Sequence, residues 1–167
     1  MKTLRNIQEK ILDERTLADT LPFLKKENKS IVFTNGCFDI LHRGHITYLS
    51  EAADLGDVLI IGLNSDDSVR RIKGTYRPVQ DQDTRALALA SLFFVDYVVL
   101  FNDDTPYELI HRVQPDILVK GGDYDPSEIA GNDLVHRSGG KVVTIPLVEG
   151  YSTTSIINRL SGSGRID

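Results

Sequence analysis

One stretch decides the fold: Ile31-Val32-Phe33-Thr34-Asn35-Gly36-Cys37-Phe38-Asp39-Ile40-Leu41-His42-Arg43-Gly44-His45. Its apolar run, residues 31–33, ends at Asn35-Gly36, and an amphipathic segment begins just after His42, which predicts a strand, a tight loop and a helix start. In a first helical turn His42 and His45 point to the same side. The unpaired backbone N–H groups and the positive end of the helix dipole point there too, and Gly44 lets a ligand approach the backbone. The stretch therefore predicts an anion site suited to a polyphosphate.

Two other interpretations of the histidine pair stay open at this point. Histidines three residues apart are commonly surface residues without a ligand. A metal pair is the second alternative, but zinc takes four ligands. Cys37 lies across the loop, and His111 and His136 have no ligand spacing with the pair. We therefore predict no metal ligands among the protein side chains.

Length and composition predict one compact domain. The chain has 167 residues, of which 41% are hydrophobic, enough for a single substantial core. The net charge of −5 is spread without blocks of like charge, which argues against nucleic-acid and membrane-surface partners. A single cysteine, no signal-peptide pattern and no apolar run of membrane-spanning length lead us to expect a cytoplasmic protein.

Strand-like and helix-like segments alternate along the chain. Apolar, β-branched runs predict strands at residues 30–33, 58–63, 97–100, 117–119 and 142–145. Helical patterns fall at residues 43–55, 65–71, 81–94, 105–112, 129–138 and 153–160, and residues 4–27 predict two short helices interrupted near Asp13 and by Pro22. This alternation predicts an α/β fold, a Rossmann-like doubly wound parallel five-stranded sheet with helices on both faces. We expect a helical extension at residues 1–28, the main domain at 29–160 and a flexible tail at 161–167.

Polar segments follow four of the predicted strands. They are residues 35–39, residues 64–68 with Lys73-Gly74, residues 120–124, and residues 149–155, which lead into the last helix. The carboxyl ends of parallel strands lie at one edge of a sheet, where doubly wound folds bind ligands. The hydroxyl-rich run at 152–155 alone could be an ordinary helix cap. Four such segments at one edge predict a binding site there.

Common nucleotide and hydrolase motifs are missing. The sequence has no G-x-x-x-x-G-K-[ST] segment, no G-x-G-x-x-G after the first strand and no G-x-S-x-G. These absences argue against a P-loop enzyme, a nicotinamide dehydrogenase and a serine hydrolase. What remains is a phosphate site built from histidines and lysines.

Two segments carry a family resemblance. Residues 36–45 resemble the first signature of the H-x-G-H nucleotidyltransferase superfamily, and residues 149–155 resemble its second. Within it, residues 33–39, 119–124 and 148–154 are similar to the adenylyltransferase domain of ADP-heptose synthases. The resemblance implies transfer of AMP from ATP to a heptose 1-phosphate with release of pyrophosphate. It also implies Mg²⁺ or another divalent cation, held mainly by the phosphates, and a homodimer.

The resemblance also implies a role for individual residues. His42, His45 and Lys73 are implied to be catalytic residues. Asp39 and Lys120 are implied to bind the sugar phosphate. The implied nucleotide-binding residues are Asn35, Gly36, Cys37, Phe38, Arg85, Ser152, Thr153 and Thr154. For Arg85 a helix salt bridge is an alternative role, and for Lys73 a solvated loop position.

Other functions remain as alternatives. A cytidylyltransferase acting on glycerol 3-phosphate or a related phosphorylated alcohol would use the same chemistry, but that group carries an arginine where this chain has Leu147. A non-catalytic nucleotide sensor would not need His42, His45 and Lys73. A tRNA synthetase fragment would need an RNA-binding module, which an acidic chain of 167 residues does not offer.

Overall fold

The structure is a computed structural model that describes residues 3–122 and 125–162. Its strands are β1 (Ile11–Leu12), β2 (Ile31–Gly36), β3 (Val58–Asn64), β4 (Tyr97–Phe101), β5 (Ile117–Gly121) and β6 (Lys141–Ile145). Its helices are α1 (Leu4–Gln8), α2 (Glu14–Lys26), α3 (Arg43–Ala53), α4 (Asp66–Lys73), α5 (Gln82–Ala90), α6 (Tyr107–Val113), α7 (Asn132–Arg137) and α8 (Thr153–Leu160), with a short 3-10 helix at Pro126–Glu128. None of these helices is both long and apolar enough to cross a membrane.

The strands form one parallel sheet, which confirms the doubly wound α/β fold. Their order is β1-β4-β3-β2-β5-β6, and each neighbouring pair runs parallel. The five predicted strands are all present, but the prediction of five strands was one short. The additional strand, β1, pairs through Ile11 with Val98 and through Leu12 with Val99. Two residues are too few to produce a recognisable strand pattern in a sequence.

The first helices differ from the prediction at Pro22. Asp13 begins α2, where its carboxylate accepts a hydrogen bond from the Thr16 N–H, so the predicted interruption near Asp13 is confirmed. Pro22, however, lies inside α2, and the predicted interruption there was wrong. A proline costs the helix one hydrogen bond. Leu21 and Leu24 on either side are buried in the core, and this packing offsets the loss.

Each face of the sheet has its own hydrophobic core. Successive residues of a strand point to opposite faces, so Phe33 lies in one core and its neighbour Val32 in the other. Helices α2, α6 and α7 contribute to the first core, and α3 and α5 to the second. Burial on both faces explains why the strands are almost continuously apolar.

The direction in which the chain adds strands to the sheet reverses at β2. The chain adds β3 and β4 on one side of β2, and then β5 and β6 on the other. Open α/β sheets bind ligands at such a switch point, outside the carboxyl ends of the strands. Asn35 of β2 and Lys120 of β5 meet there, since Lys120 Nζ donates to Asn35 Oδ1 at 3.4 Å. The fold therefore places the predicted site between β2 and β5.

A fully buried arginine joins the segments around this edge. Arg85 of α5 donates from Nη1 to the carbonyl oxygens of Cys37, at 2.7 Å, and Asn64, at 2.8 Å. Its Nε donates to the Gln80 carbonyl at 3.0 Å, and its Nη2 pairs with Asp66 Oδ1 at 2.7 Å. The side chain is 0% exposed. Arg85 thus holds the loop after β2, the end of β3 and the entry to α5 together.

We expect Arg85→Ala to lower the free energy of unfolding by about 3–5 kcal/mol, because it leaves Asp66 and three carbonyl groups without their donor. Urea denaturation would measure the change. The matched control is Arg70→Ala, whose pair with Asp67 is exposed at the surface and should contribute less than about 1 kcal/mol. An equally small loss in both variants would contradict this role of Arg85.

Candidate active site

His42 and His45 lie together at the start of α3. His42 is the N-cap residue, one position before the first turn, and its Nδ1 accepts a hydrogen bond from the His45 backbone N–H at 3.4 Å. The two rings stack with their centroids 3.8 Å apart and their planes 21° from parallel. Because Nδ1 of His42 acts as an acceptor, the neutral ring carries its proton on Nε2. His42 can therefore donate a hydrogen bond from Nε2 to a ligand.

The environment of His45 favours a neutral ring. Burial, reinforced by the neighbouring His42, lowers the pKa of His45 to about 4. Its Nδ1 is buried and has no hydrogen-bond partner among the described residues. Phe38 packs against the ring edge-on, with 5.4 Å between the centroids. At neutral pH His45 is thus an uncharged imidazole held between two other rings.

The loop after β2 turns sharply under the histidines. Phe38 and Ile40 both have positive φ angles, 44° and 59°, which residues other than glycine seldom adopt. The Phe38 ring folds back over Gly36, where an added Cβ would lie only 3.0 Å from the ring. Gly36 is needed for this packing, which sets the position of the Phe38 ring against His45.

Gly44 also makes room for protein side chains. A Cβ at this position would lie 3.1 Å from Nδ1 of His42 and 3.2 Å from Cβ of Tyr151. The prediction that Gly44 gives a ligand access to the backbone is therefore at odds with the structure. Arg43 donates to the Tyr151 hydroxyl at 3.3 Å and lies over the Tyr151 ring, which ties the start of α3 to the segment before α8.

The Asp39 carboxylate is occupied by protein donors. Its Oδ2 accepts from Arg77 Nε at 2.8 Å and from the Val79 N–H at 2.9 Å, and its Oδ1 accepts from the Gln80 N–H at 3.0 Å. Burial alone would raise the pKa of Asp39, but these donors outweigh it and hold the pKa below its usual value. The Asp39 side chain is 0% exposed. Its expected contact with a sugar phosphate stays a prediction that this geometry does not favour.

Arg85 was expected to bind nucleotide, but its side chain is not part of the cleft lining. It is enclosed by the carbonyl oxygens described above and by Asp66. A direct contact with nucleotide would require it to leave these partners. The alternative role of Arg85, a salt bridge, fits better, although the partner Asp66 lies on α4 rather than on the same helix.

Two lysines face the site without a carboxylate partner among the described residues. Lys120 is partly buried, and this burial lowers its pKa. Lys73 is the last residue of α4, so it belongs to a helix end rather than to the loop expected after β3. Burial raises the pKa of the Cys37 thiol in the same cleft, and the positive charge of Lys73 opposes this shift. The positive charges of both lysines are therefore available to an anion.

The start of α8 is a capped helix end beside the loop after β2. The Ser152 hydroxyl accepts from the Ser155 N–H at 3.0 Å, so it acts as the N-cap. The Thr153 hydroxyl donates to the Asp39 carbonyl at 2.7 Å. Thr154 is exposed. The Thr153 hydroxyl thus donates its proton within the protein, whereas the Ser152 hydroxyl only accepts there and the Thr154 hydroxyl is open to solvent.

Most of the predicted site residues line one cleft of about 520 Å³: Asn35, Gly36, Cys37, Phe38, Asp39, His45, Lys73, Lys120 and Thr153. His42, Arg85, Ser152 and Thr154 are not part of this lining. Arg77, Ala130 and residues 104–106 also line the cleft and were not predicted. Arg77 could have been suspected from the basic run around Gly74. Ala130 and residues 104–106 carry no sequence signal of this kind.

Sequence comparisons with known proteins show which family the chain resembles. A family model described as cytidylyltransferase-like matches residues 33–159. The chain is 54% identical over 151 residues to the bifunctional protein HldE of Syntrophotalea carbinolica, which covers 90% of this chain and 31% of that protein. It is 59% identical over 137 residues to HldE of a Nitratiruptor species, covering 82% and 29%. The chain thus spans about a third of the length of these curated relatives.

Solved structures support the same assignment. A lipopolysaccharide core biosynthesis protein from Thermoplasma volcanium aligns with a TM-score of 0.60 and 28% identity, over 74% of this chain and 99% of that one. Pantoate-beta-alanine ligase from Francisella tularensis aligns with a TM-score of 0.58 at 15% identity, over 90% and 76%, and shares the fold alone. The family model and the HldE relatives confirm the resemblance to nucleotidyltransferases. Because the family model covers most of its length, this chain belongs to the cytidylyltransferase-like family.

Proposed function

We propose that this chain transfers AMP from ATP to D-glycero-β-D-manno-heptose 1-phosphate, giving ADP-heptose and pyrophosphate for lipopolysaccharide core synthesis. The observation that carries a nucleotidyl transfer is the convergence of His45, Lys73 and Lys120 on one cleft at the switch point of the sheet. Support for the heptose acceptor comes from the segments similar to ADP-heptose synthases and from the identity to HldE proteins. The Thermoplasma protein's role in lipopolysaccharide core synthesis points the same way.

The proposed reaction needs no proton transfer by the protein. An oxygen of the sugar phosphate attacks the α-phosphorus of ATP, and the bond from that phosphorus to the departing pyrophosphate breaks in line. The attacking phosphate is already ionised at neutral pH, so no general base is required. Catalysis then consists of positioning the two substrates and stabilising the charge that builds up on phosphate oxygens. A neutral His45 with a lowered pKa suits this task as a hydrogen-bond donor.

The cleft lining, together with His42 and the start of α8, offers three kinds of phosphate contact in this proposal. His42 and His45 donate hydrogen bonds from Nε2 to the triphosphate. Lys73 and Lys120 bring positive charge to the phosphates from opposite sides of β2. At the start of α8, the backbone N–H groups and the hydroxyls of Ser152 and Thr154 receive the β- and γ-phosphates, because the Thr153 hydroxyl already donates to the Asp39 carbonyl.

We also propose that Mg²⁺ enters with ATP and is held mainly by phosphate oxygens. Among the described residues, no group of three or more His, Cys, Asp and Glu side chains is placed to hold a metal ion. Of the carboxylates in the cleft lining, Asp39 is bonded to Arg77 and Asp104 to Arg71. Phosphate oxygens and water therefore suit the ion better than a protein cage does. The homodimer and the cytoplasmic location stay predictions.

The test of the function is pyrophosphate release from each nucleoside triphosphate with a panel of sugar 1-phosphates. We expect the heptose 1-phosphate to be used at least tenfold more efficiently, in kcat/KM, than hexose 1-phosphates and glycerol 3-phosphate. A better turnover with glycerol 3-phosphate would favour the cytidylyltransferase alternative. No pyrophosphate release with any acceptor would favour a nucleotide sensor.

ATP should be preferred over CTP by a wide margin. At the position of the cytidylyltransferase arginine, Leu147 lies over Gly121 and lines the cleft, so it offers no hydrogen bond to a cytosine. Pyrophosphate release with the two nucleotides at equal concentration measures the preference. Equal or faster release with CTP for every acceptor would contradict the assignment.

The variant His45→Ala should lower kcat far more than it weakens ATP binding. The charge that His45 meets grows mainly in the transition state, and loss of one such donor costs about 3 kcal/mol, on the order of a hundredfold in rate. Steady-state kinetics separate kcat from KM. His136→Ala, at an exposed position on α7, is the matched control and should be unchanged. A raised KM with normal kcat would show that His45 only binds substrate.

Residues 66–78 should become protected when nucleotide binds. Lys73 ends α4 and Gly74 follows with a φ of 95°, so the exposed stretch beyond it can settle over a triphosphate and bring Lys73 in as a point charge. Hydrogen exchange with and without a non-hydrolysable ATP analogue and Mg²⁺ measures this. Lys73→Ala should weaken binding of the analogue, whereas Lys26→Ala on α2 should not. Unchanged exchange together with a fully active Lys73→Ala variant would identify Lys73 as a solvated surface charge.

A further inference from the structure

Arg77 lines the cleft but has no role in the function proposed above. Its side chain is 18% exposed, and Nε donates to Asp39 Oδ2 at 2.8 Å. A guanidinium carries five N–H groups, four of them on the terminal nitrogens Nη1 and Nη2. Among residues 3–122 and 125–162, no protein acceptor bonds these four groups. Arg77 thus lines the cleft with the terminal N–H groups of its guanidinium unbonded to any described protein acceptor.

Arg77 and Arg85 differ in how their guanidinium groups are bonded and exposed. Arg77 lies in the segment between α4 and α5, Arg85 lies on α5, and each is bonded to the loop after β2. Arg85 bonds through all three of its nitrogens and is completely enclosed. Arg77 bonds through Nε alone and stays partly open. Arg85 is therefore bound within the protein, whereas Arg77 keeps unbonded N–H donors that a ligand can use.

Asp39 fixes the direction in which Arg77 points. Its buried carboxylate holds Nε and, through the Val79 and Gln80 N–H groups, also the backbone that follows Arg77. Both the side chain and its backbone are therefore anchored to one carboxylate. An arginine oriented in this way loses little freedom when a ligand binds, because its guanidinium is already in place.

We propose that the terminal nitrogens of Arg77 bind a substrate phosphate group through two parallel hydrogen bonds, and that Asp39 positions the guanidinium for this contact. The spacing of Nη1 and Nη2 matches two oxygens of a phosphate group. Lys73 and Lys120 line the same cleft and make it favourable for anions. The proposal rests on the proposed function only in requiring phosphorylated substrates; the identity of the sugar does not enter.

Binding of two inorganic probes tests Arg77 without reference to the acceptor. Calorimetry would measure the affinity of the full chain, and of three variants, for tripolyphosphate, which mimics the nucleotide chain, and for inorganic phosphate, which mimics a phosphomonoester. We expect Arg77→Gln to weaken binding of at least one probe tenfold or more. Arg77→Lys keeps the charge but loses the two-point contact, so it should weaken the same probe at least threefold. Arg70→Gln removes a nearby exposed arginine outside the cleft lining and should change neither affinity more than twofold.

The probes also distinguish which substrate Arg77 holds. A loss confined to tripolyphosphate assigns Arg77 to the nucleotide, and a loss confined to phosphate assigns it to the acceptor. The KM for the corresponding substrate should rise by a similar factor. If Arg77→Lys binds both probes as the native chain does, the two-point contact is overturned and Arg77 only pairs with Asp39. Should Arg77→Gln fail to fold, Arg77→Lys alone decides.

Asp39→Asn tests the positioning role. We expect it to weaken the same probe that Arg77→Gln weakens, and the double variant to be no weaker than Arg77→Gln, because Asp39 acts through Arg77. Affinities would be compared at a temperature where each variant is folded by circular dichroism. Additive losses in the double variant would overturn this role of Asp39. Absence of heptose adenylylation with intact probe binding would contradict the proposed function and leave the Arg77 contact standing.

Discussion

The buried guanidinium of Arg85 is the interaction on which the site depends. A charge removed from water is tolerated only when it is paired and fully hydrogen-bonded. Here Asp66 supplies the opposite charge, and the carbonyls of Cys37, Asn64 and Gln80 supply the remaining acceptors. These carbonyls belong to the loop after β2, the end of β3 and the entry to α5. One side chain therefore fixes how the cleft-forming segments stand relative to one another.

A second buried group extends this framework to the last helix. The Asp39 carboxylate holds residues 77–80, and its backbone carbonyl accepts the Thr153 hydroxyl at the start of α8. The loop after β2 is thus bonded on one side to α5 and on the other to α8. The starts of α3 and α8, where we propose phosphate contacts, both take their positions from this loop. The site is largely preorganised, which is what catalysis by positioning requires.

The sequence predicted the strands and helix starts that produce a residue pattern, and it missed features that depend on the direction of side chains. Continuous apolar runs located β2 to β6, and the H-x-G-H spacing placed both histidines at a helix start. The two-residue β1 has no pattern, and the buried leucines of α2 outweigh the breaking effect of Pro22. Arg77 and Arg85 are the same residue type eight positions apart, and only the fold decides that Arg85 turns inward and Arg77 faces the cleft. Side-chain direction follows from packing that a single sequence does not reveal.

The cleft contains both a neutral hydrogen-bonding ring, that of His45, and positively charged side chains. Burial lowers the pKa of His45 to about 4 from its ordinary 6.5, so the folded protein favours the neutral ring. As the pH falls from 6.5 towards 4, protonation of this ring therefore lowers the free energy of unfolding. Above this range the positive charge of the cleft comes from Lys73, Arg77 and Lys120 rather than from His45. A cationic His45 stacked on His42 would repel its neighbour and bury an unpaired charge. A reaction that moves no proton has no need of such a cation. It needs a rigid donor beside the fixed charges, and the stacked, half-enclosed ring of His45 is built as one.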